Sequence, residues 1–286
     1  MCFGFREKTD RLAAITIAGG LMFIPFHDAN TLKHIKVQWV TLSLIALNVA
    51  VWLFTSIESE QAAQATTVGL GYIPAIAFGD AVLAQGLEIV PEPLTYLTYA
   101  FVHSGFWHLA SNMIFLWVFG DNVEDAMGHL RFLIFYLLCA AAGALCHGLL
   151  TMTSQAPLVG ASGAISGVVA AYVMLHPRVR VWVLVFFRLP LPLPAFVPLL
   201  LWIGQQFFML AIAPDGDVSW GAHVGGILAG ALLILVLRRQ GVPLFDREIV
   251  TPRAVKDDPG AGPAITVDAA GRKIQRLPWG RRREEY

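Results

Sequence analysis

Apolar residues dominate the chain between positions 38 and 237, broken by only a few short polar gaps. Six stretches within it reach or approach the ~20 residues that a helix rising ~1.5 Å per residue needs to cross a hydrocarbon core of ~30 Å. They are Gln38–Ser56, Phe106–Val123, Phe132–Leu150, Leu158–Leu175, Ala195–Ala213 and Trp220–Leu237. No alternation of apolar and polar residues runs through them, and they are too long for strands, so the pattern predicts helices. The expected fold is an all-α membrane protein, a six-transmembrane-helix bundle with a long first outer loop. Its domains are a cytoplasmic N-terminal segment 1–37, a membrane domain 38–238 and a disordered cytoplasmic tail 239–286, rich in Pro, Gly and charge. Leu12–Phe26 is a shorter apolar stretch, signal-like but with no small-residue cleavage site after it. Tyr72–Val90, interrupted by Asp80, Gln85 and Glu88, reads as a partly membrane-associated stretch of the first outer loop.

Charge orients this bundle. Lys33, Lys36, Arg6, Lys8 and Arg11 precede the first span, Arg131 adjoins the gap 124–131, and Arg178, Arg180 and Arg188 lie in the gap 176–194. Every other Lys and Arg follows residue 237, and the segments 57–105, 151–157 and 214–219 contain none. Positive residues stay on the cytoplasmic side, so both tails are expected there, in a plasma membrane of the bacterial inner-membrane kind. A seventh span at 12–26 would carry Arg6, Lys8 and Arg11 outward, which argues against it. The formal net charge of zero points to no nucleic acid partner. Cys2, Cys139 and Cys146 have neither disulfide nor metal-site spacing, and no cofactor is implied.

Polar groups inside spans are costly and call for a reason. His108, Asn112, Ser162 and His223 stand out. Taken singly, each is explained by a hydrogen bond to a neighbouring helix. Taken together, they sit near the outer ends of the second, fourth and sixth spans. Ser162 is ~6 Å and His223 ~5 Å deep by helical rise, and Asn112 follows His108 by one turn on the same face. One shallow, water-accessible site is the simplest account. A serine hydroxyl needs an adjacent base, which a neutral histidine supplies, and the oxyanion of acyl transfer needs donors, which His108, Asn112 and the Ser162 N–H offer. Gly160, Gly163 and Gly167 on the fourth span and Gly226 and Gly230 on the sixth let two helices come close enough for a Ser–His hydrogen bond.

The segments His103-Ser-Gly-Phe-Trp-His108-Leu-Ala-Ser-Asn112, Gly160-Ala-Ser162-Gly163 and Ala222-His223-Val-Gly-Gly226-Ile-Leu-Ala-Gly230 resemble the rhomboid family in order and spacing. The resemblance covers roughly residues 22–238. It implies an intramembrane serine endopeptidase with transmembrane protein substrates in the lipid bilayer, Ser162 as nucleophile and His223 as base, then acid. It also implies an oxyanion hole from His108, Asn112 and Ser162, a structural His103, and a structural Glu124 pairing with Arg131. Movement around the second and fifth spans and the last outer loop, here Pro214-Asp215-Gly216-Asp217, would admit substrate. Two departures bear on loop docking and on His223. Glu92-Pro93-Leu94 stands near the position of a frequent Trp-Arg pair, and Ser166 stands where some members stack a Tyr on the catalytic histidine. His147, Gln205 and Gln206 are further intramembrane polar residues, expected to pair locally or to line the cavity. The alternatives are a catalytically silent rhomboid-like binder, a transporter with a polar permeation path, and a metal-dependent intramembrane protease, for which no HExxH segment is present.

Overall fold

The computed structural model describes residues 23–185, 188–213 and 218–246, and the backbone of two short strands at Ile265–Val267 and Lys273–Gln275. A helix occupies each of the six predicted places: α1 Trp39–Ile57, α5 Phe106–Met127, α6 His129–Leu150, α7 Ser162–Leu175, α8 Phe196–Ile212 and α9 Trp220–Leu237. Between α1 and α5 lie α2 Glu60–Leu70, the single turns α3 Pro74–Ala77 and α4 Thr95–Thr98, and 3₁₀ turns at Glu92–Leu94 and Tyr99–Phe101. Among the described residues, α1, α6 and α9 are long and apolar enough to cross a membrane by length and composition alone. α5 is as long as α6 but carries Asp121, Glu124 and Asp125 in its last two turns. α7 and α8 are apolar but shorter.

α7 is the centre of the bundle, packed against α5, α6 and α9. Its small residues allow this: nearly every position from Gly163 to Leu175 is buried. α1, in contrast, buries only the stripe Thr41, Leu44 and Asn48, whose spacing of three and four residues is one helix face.

The all-α expectation misses a three-stranded antiparallel sheet of β1 Phe23–Asp28, β2 Arg180–Val185 and β3 Leu189–Pro194, in the order β1-β2-β3. β2 alternates on Val181 and Val183, both fully buried. β3 reads Leu-Pro-Leu-Pro-Leu-Pro, which suits an edge: the prolines take the positions whose missing N–H faces away from β2, and the leucines pair inward. A short strand with alternating prolines leaves no long apolar run in the sequence.

Packed chain also extends on either side of residues 38–238. Asp125 accepts from the backbone N–H groups of Lys33, His34 and Ile35 at 3.0, 2.7 and 2.7 Å, which holds the segment before α1 against the end of α5. Beyond α9, Arg239 N–H donates to Ala126 O at 2.8 Å and Asp246 N–H to Leu175 O at 3.0 Å, so packed chain continues to residue 246. Of the expected disordered tail, most lies outside the described residues. A separate unit, Pro252–Tyr286, contains β4 Ile265–Val267 and β5 Lys273–Gln275, paired antiparallel. Most of the stretch Leu12–Phe26 and the loop residues 214–217 also lie outside the described residues.

Candidate active site

The fourth apolar stretch does not begin as a helix at Leu158. Leu158 instead forms an antiparallel bridge with Tyr72, N–H to O in both directions at 2.8 and 3.1 Å. Gly160 follows at φ +115°, a conformation that penalises any side chain. Its N–H donates to Tyr99 O at 3.0 Å. The helix then starts at Ser162 itself. The depth estimated for Ser162 from helical rise is therefore corrected: the four residues before it are non-helical and each covers more distance than a helical residue. Ser162 sits in the first turn of α7, where the backbone N–H groups have no carbonyl four residues back and the helix dipole is positive.

His223 lies in the first turn of α9, which Ser219 caps by accepting from Ala222 N–H at 3.3 Å. Its Nε2 is 2.9 Å from Ser162 Oγ. Close glycine packing sets this distance. A Cβ added at Gly226 would stand 1.9 Å from Gly163 O, and one at Gly230 would stand 2.3 Å from Gly167 O, so both positions exclude any larger residue. Gly163 itself abuts the Tyr99 hydroxyl, which donates to Ala140 O at 2.8 Å.

His108 presses on the backbone two residues before Ser162: a Cβ at Gly160 would meet its Cε1 and Nε2 at 2.6 Å. Its Nδ1 is 3.1 Å from Ser104 Oγ. Asn112 is buried one turn on, and its amide donates to His108 O at 2.8 Å within the same helix. His103 packs edge-on against His108, and its Nε2 accepts from Ala161 N–H at the long distance of 3.5 Å. Burial, with a smaller contribution from His108, pushes the His103 imidazole down to about 3, so it stays neutral.

Glu124 is far from this cluster, at the opposite end of α5. It does not pair with Arg131. Its carboxylate accepts from Val40 N–H, Thr41 N–H, Thr41 Oγ1 and His129 Nδ1 at 3.0, 2.8, 2.7 and 2.5 Å. A carboxylate with backbone donors in reach at the N-terminus of α1 is used there as a helix cap rather than as half of an ion pair. His147, in the last turn of α6, reaches across to the cap of α9, its Nδ1 2.7 Å from Ser219 Oγ.

Three side chains of the site were not assigned from sequence. Trp202 on α8 lies nearly parallel to the His223 ring, at 6.1 Å between centroids and 30° between planes. Trp220 meets the same ring edge-on at 5.9 Å. The aromatic face absent at Ser166 is thus supplied from another helix, while Ser166 donates to Ser162 O at 2.6 Å. Tyr99 is the third, its carbonyl holding Gly160 in the segment before Ser162. The spacing of Trp202 and Gln206, four apart on one face, was the available signal, since Gln206 Oε1 is 2.8 Å from His223 Nδ1.

A family model for the Rhomboid domain matches residues 91–240, more than half of the chain and all of the site just described. The chain belongs to the rhomboid family. It is 32% identical over 149 residues to Rhomboid protein 1, mitochondrial, of Saccharomyces cerevisiae, a match covering 51% of this chain and 42% of that protein. It is 30% identical over 195 residues to the rhomboid protease GluP of Bacillus subtilis, covering 68% of this chain and 34% of that one. With the putative rhomboid protease YdcA of the same organism it shares 27% over 226 residues, 74% of this chain and 94% of that protein. The match thus spans less than half the length of the first two. The rhomboid domain, with its apolar helices, makes this a membrane protein.

Proposed function

We propose that this rhomboid protein is an intramembrane serine endopeptidase that cleaves peptide bonds in or near the transmembrane helices of membrane-protein substrates. The observation that carries the reading is the 2.9 Å contact between Ser162 Oγ and His223 Nε2 across two helices locked by glycine. In this reading α1, α5, α6, α7, α8 and α9 are the six membrane helices, with both termini cytoplasmic in a bacterial inner membrane. Charge distribution supports the orientation, since Lys and Arg are absent from residues 57–105.

Ser162 attacks the scissile carbonyl while His223 takes its proton. The oxyanion then forms beside the Ser162 N–H, which has no helical partner, and beside His108. Asn112 has one amide hydrogen committed to His108 O and a second free to donate. His223 next protonates the leaving amine, and water attacks the acyl-enzyme with His223 again as base. The substrate helix must unwind locally, because helical amides are shielded from attack.

The test is cleavage of a model transmembrane substrate by purified protein, beside Ser162→Ala. Cleavage that disappears with Ser162 is the expected result. Labelling of Ser162 by a fluorophosphonate separates a competent dyad from an inert one, and an unlabelled Ser162 would overturn the protease reading in favour of a binding role.

A further inference from the structure

We propose that Gln206 on α8 acts as the third member of the catalytic relay, fixing the tautomer and orientation of His223. The proposal rests on the protease reading above.

Gln206 is 2% exposed, the most buried polar side chain of a helix whose other faces are mostly open. Its amide makes two bonds. Nε2 donates to Trp202 O at 3.0 Å, one turn back on α8. Oε1 faces His223 Nδ1 at 2.8 Å. The two ends of the amide are not interchangeable here. A backbone carbonyl only accepts, so the NH₂ must face Trp202 and the oxygen must face His223. An amide oxygen only accepts in turn, so the proton of a neutral His223 resides on Nδ1. Nε2 then presents its lone pair to Ser162 Oγ, 2.9 Å away. The chain of donors therefore runs from Ser162 to His223 to Gln206 to Trp202 O, and only one assignment satisfies every member.

In the Ser-His-Asp arrangement a carboxylate performs this task and also stabilises the imidazolium that forms. A neutral amide orients equally well but adds less charge stabilisation. Trp202, on the same face of α8, lies over the His223 ring and limits its rotation. Among the described residues, the titratable side chain that acts electrostatically on His223 is His108 of α5.

The experiment uses the full chain in detergent and compares wild type, Gln206→Met and Gln206→Glu. It reads the rate of fluorophosphonate labelling of Ser162 and the pH profile of kcat for a model transmembrane substrate. Gln206→Met keeps the length and loses the acceptor, and is expected to slow labelling by about 10–100-fold, lowering kcat with KM little changed. Gln206→Glu is expected to restore labelling at neutral pH and to move the acidic limb of the profile upward by about one pH unit, because a carboxylate favours the imidazolium. Wild-type labelling by Gln206→Met, or equal losses in both variants with an unmoved acidic limb, would overturn the relay and leave Gln206 a packing residue. Absence of labelling in wild type would instead sink the protease reading itself.

Discussion

α7 and α8 are neighbours of similar length and similar apolar composition, yet they are held in opposite ways. Twelve of the fourteen residues of α7 are buried, mostly Gly, Ala and Val, and its backbone touches that of α9 at Gly163–Gly226 and Gly167–Gly230. α8 buries only Pro198, Leu199 and Gln206 along seventeen residues, and Leu201 and Phe208 are 70% and 61% exposed. Apolar character alone does not decide burial in such a bundle, since lipid tails are as apolar as leucine. Side-chain size decides it. Small residues bring backbones together and fix the Ser162–His223 distance, whereas most of the large ones on α8 face outward and leave Trp202 and one polar side chain, Gln206, directed at the site.

The largest effect is therefore expected from a single methyl on the α7–α9 contact. Gly226→Ala places a Cβ where Gly163 O now stands, so the two helices must separate. A displacement of about 1 Å is enough to cost on the order of 100-fold in rate. Cleavage of a model substrate and fluorophosphonate labelling should both fall by at least that factor, with a lower midpoint of thermal unfolding. Retained activity would mean that α7 and α9 can part without opening the dyad.

The same difference explains what could be read in advance. The six helices were legible because long apolar runs have few other uses, and Ser162, His223, His108 and Gly226 were legible because polar and small residues inside such runs are conspicuous. The start of α7 was not. Leu158 to Ala161 is as apolar as the helix it precedes, and only the bridge to Tyr72 and the positive φ of Gly160 take it out of helical geometry. The partner of Glu124 was misjudged for a related reason. Arg131 lies close in sequence, but the first turn of α1 offers two backbone donors, at 3.0 and 2.8 Å. The sheet is not visible in the sequence because its strands are short, and the pairing of β2 with β1 links residues more than 150 positions apart.

The next largest effect concerns stability at the end of α5 rather than chemistry. Glu124→Leu removes the acceptor for Val40 N–H, Thr41 N–H and His129 Nδ1 at a fully buried position. Each buried donor left without a partner costs about 1–3 kcal/mol. The unfolding midpoint should drop by several degrees, while the rate of Ser162 labelling in the protein that remains folded stays at wild type. A loss of labelling with no loss of stability would tie Glu124 to the site at the other end of α5.

A smaller effect depends on pH. Asp28 in β1 accepts from Asn122 Nδ2 and Tyr172 OH, both at 2.8 Å. Burial, and then the nearby Asp121, push its carboxyl from the ordinary 3.8 up to about 7. The folded protein consequently binds more protons than the unfolded chain between those values, so this group removes stability as pH rises from about 4 to about 7. Asp28→Asn keeps an acceptor and carries no charge. It should match wild type near pH 4 and exceed it in unfolding midpoint at pH 8; equal pH slopes would show that Asp28 ionises in place without penalty.

The smallest effect is expected on the outer face of α8, and it sharpens the contrast most. Phe208→Ala removes a large ring from a residue that is 61% exposed within the protein. In water such a change would alter solubility, but in detergent or lipid the ring leaves one apolar environment for another. Substitutions away from packed features usually stay within about 0.5 kcal/mol. The unfolding midpoint and labelling rate should both remain at wild type, in contrast to Gly226→Ala, where a gain of one carbon disrupts the pair. Were Phe208→Ala to destabilise the protein as a core truncation does, by about 3–5 kcal/mol, α8 would be packed through its large residues after all. The division between a helix fixed by small side chains and one held by a few contacts, Leu199, Trp202 and Gln206 among them, would then fail.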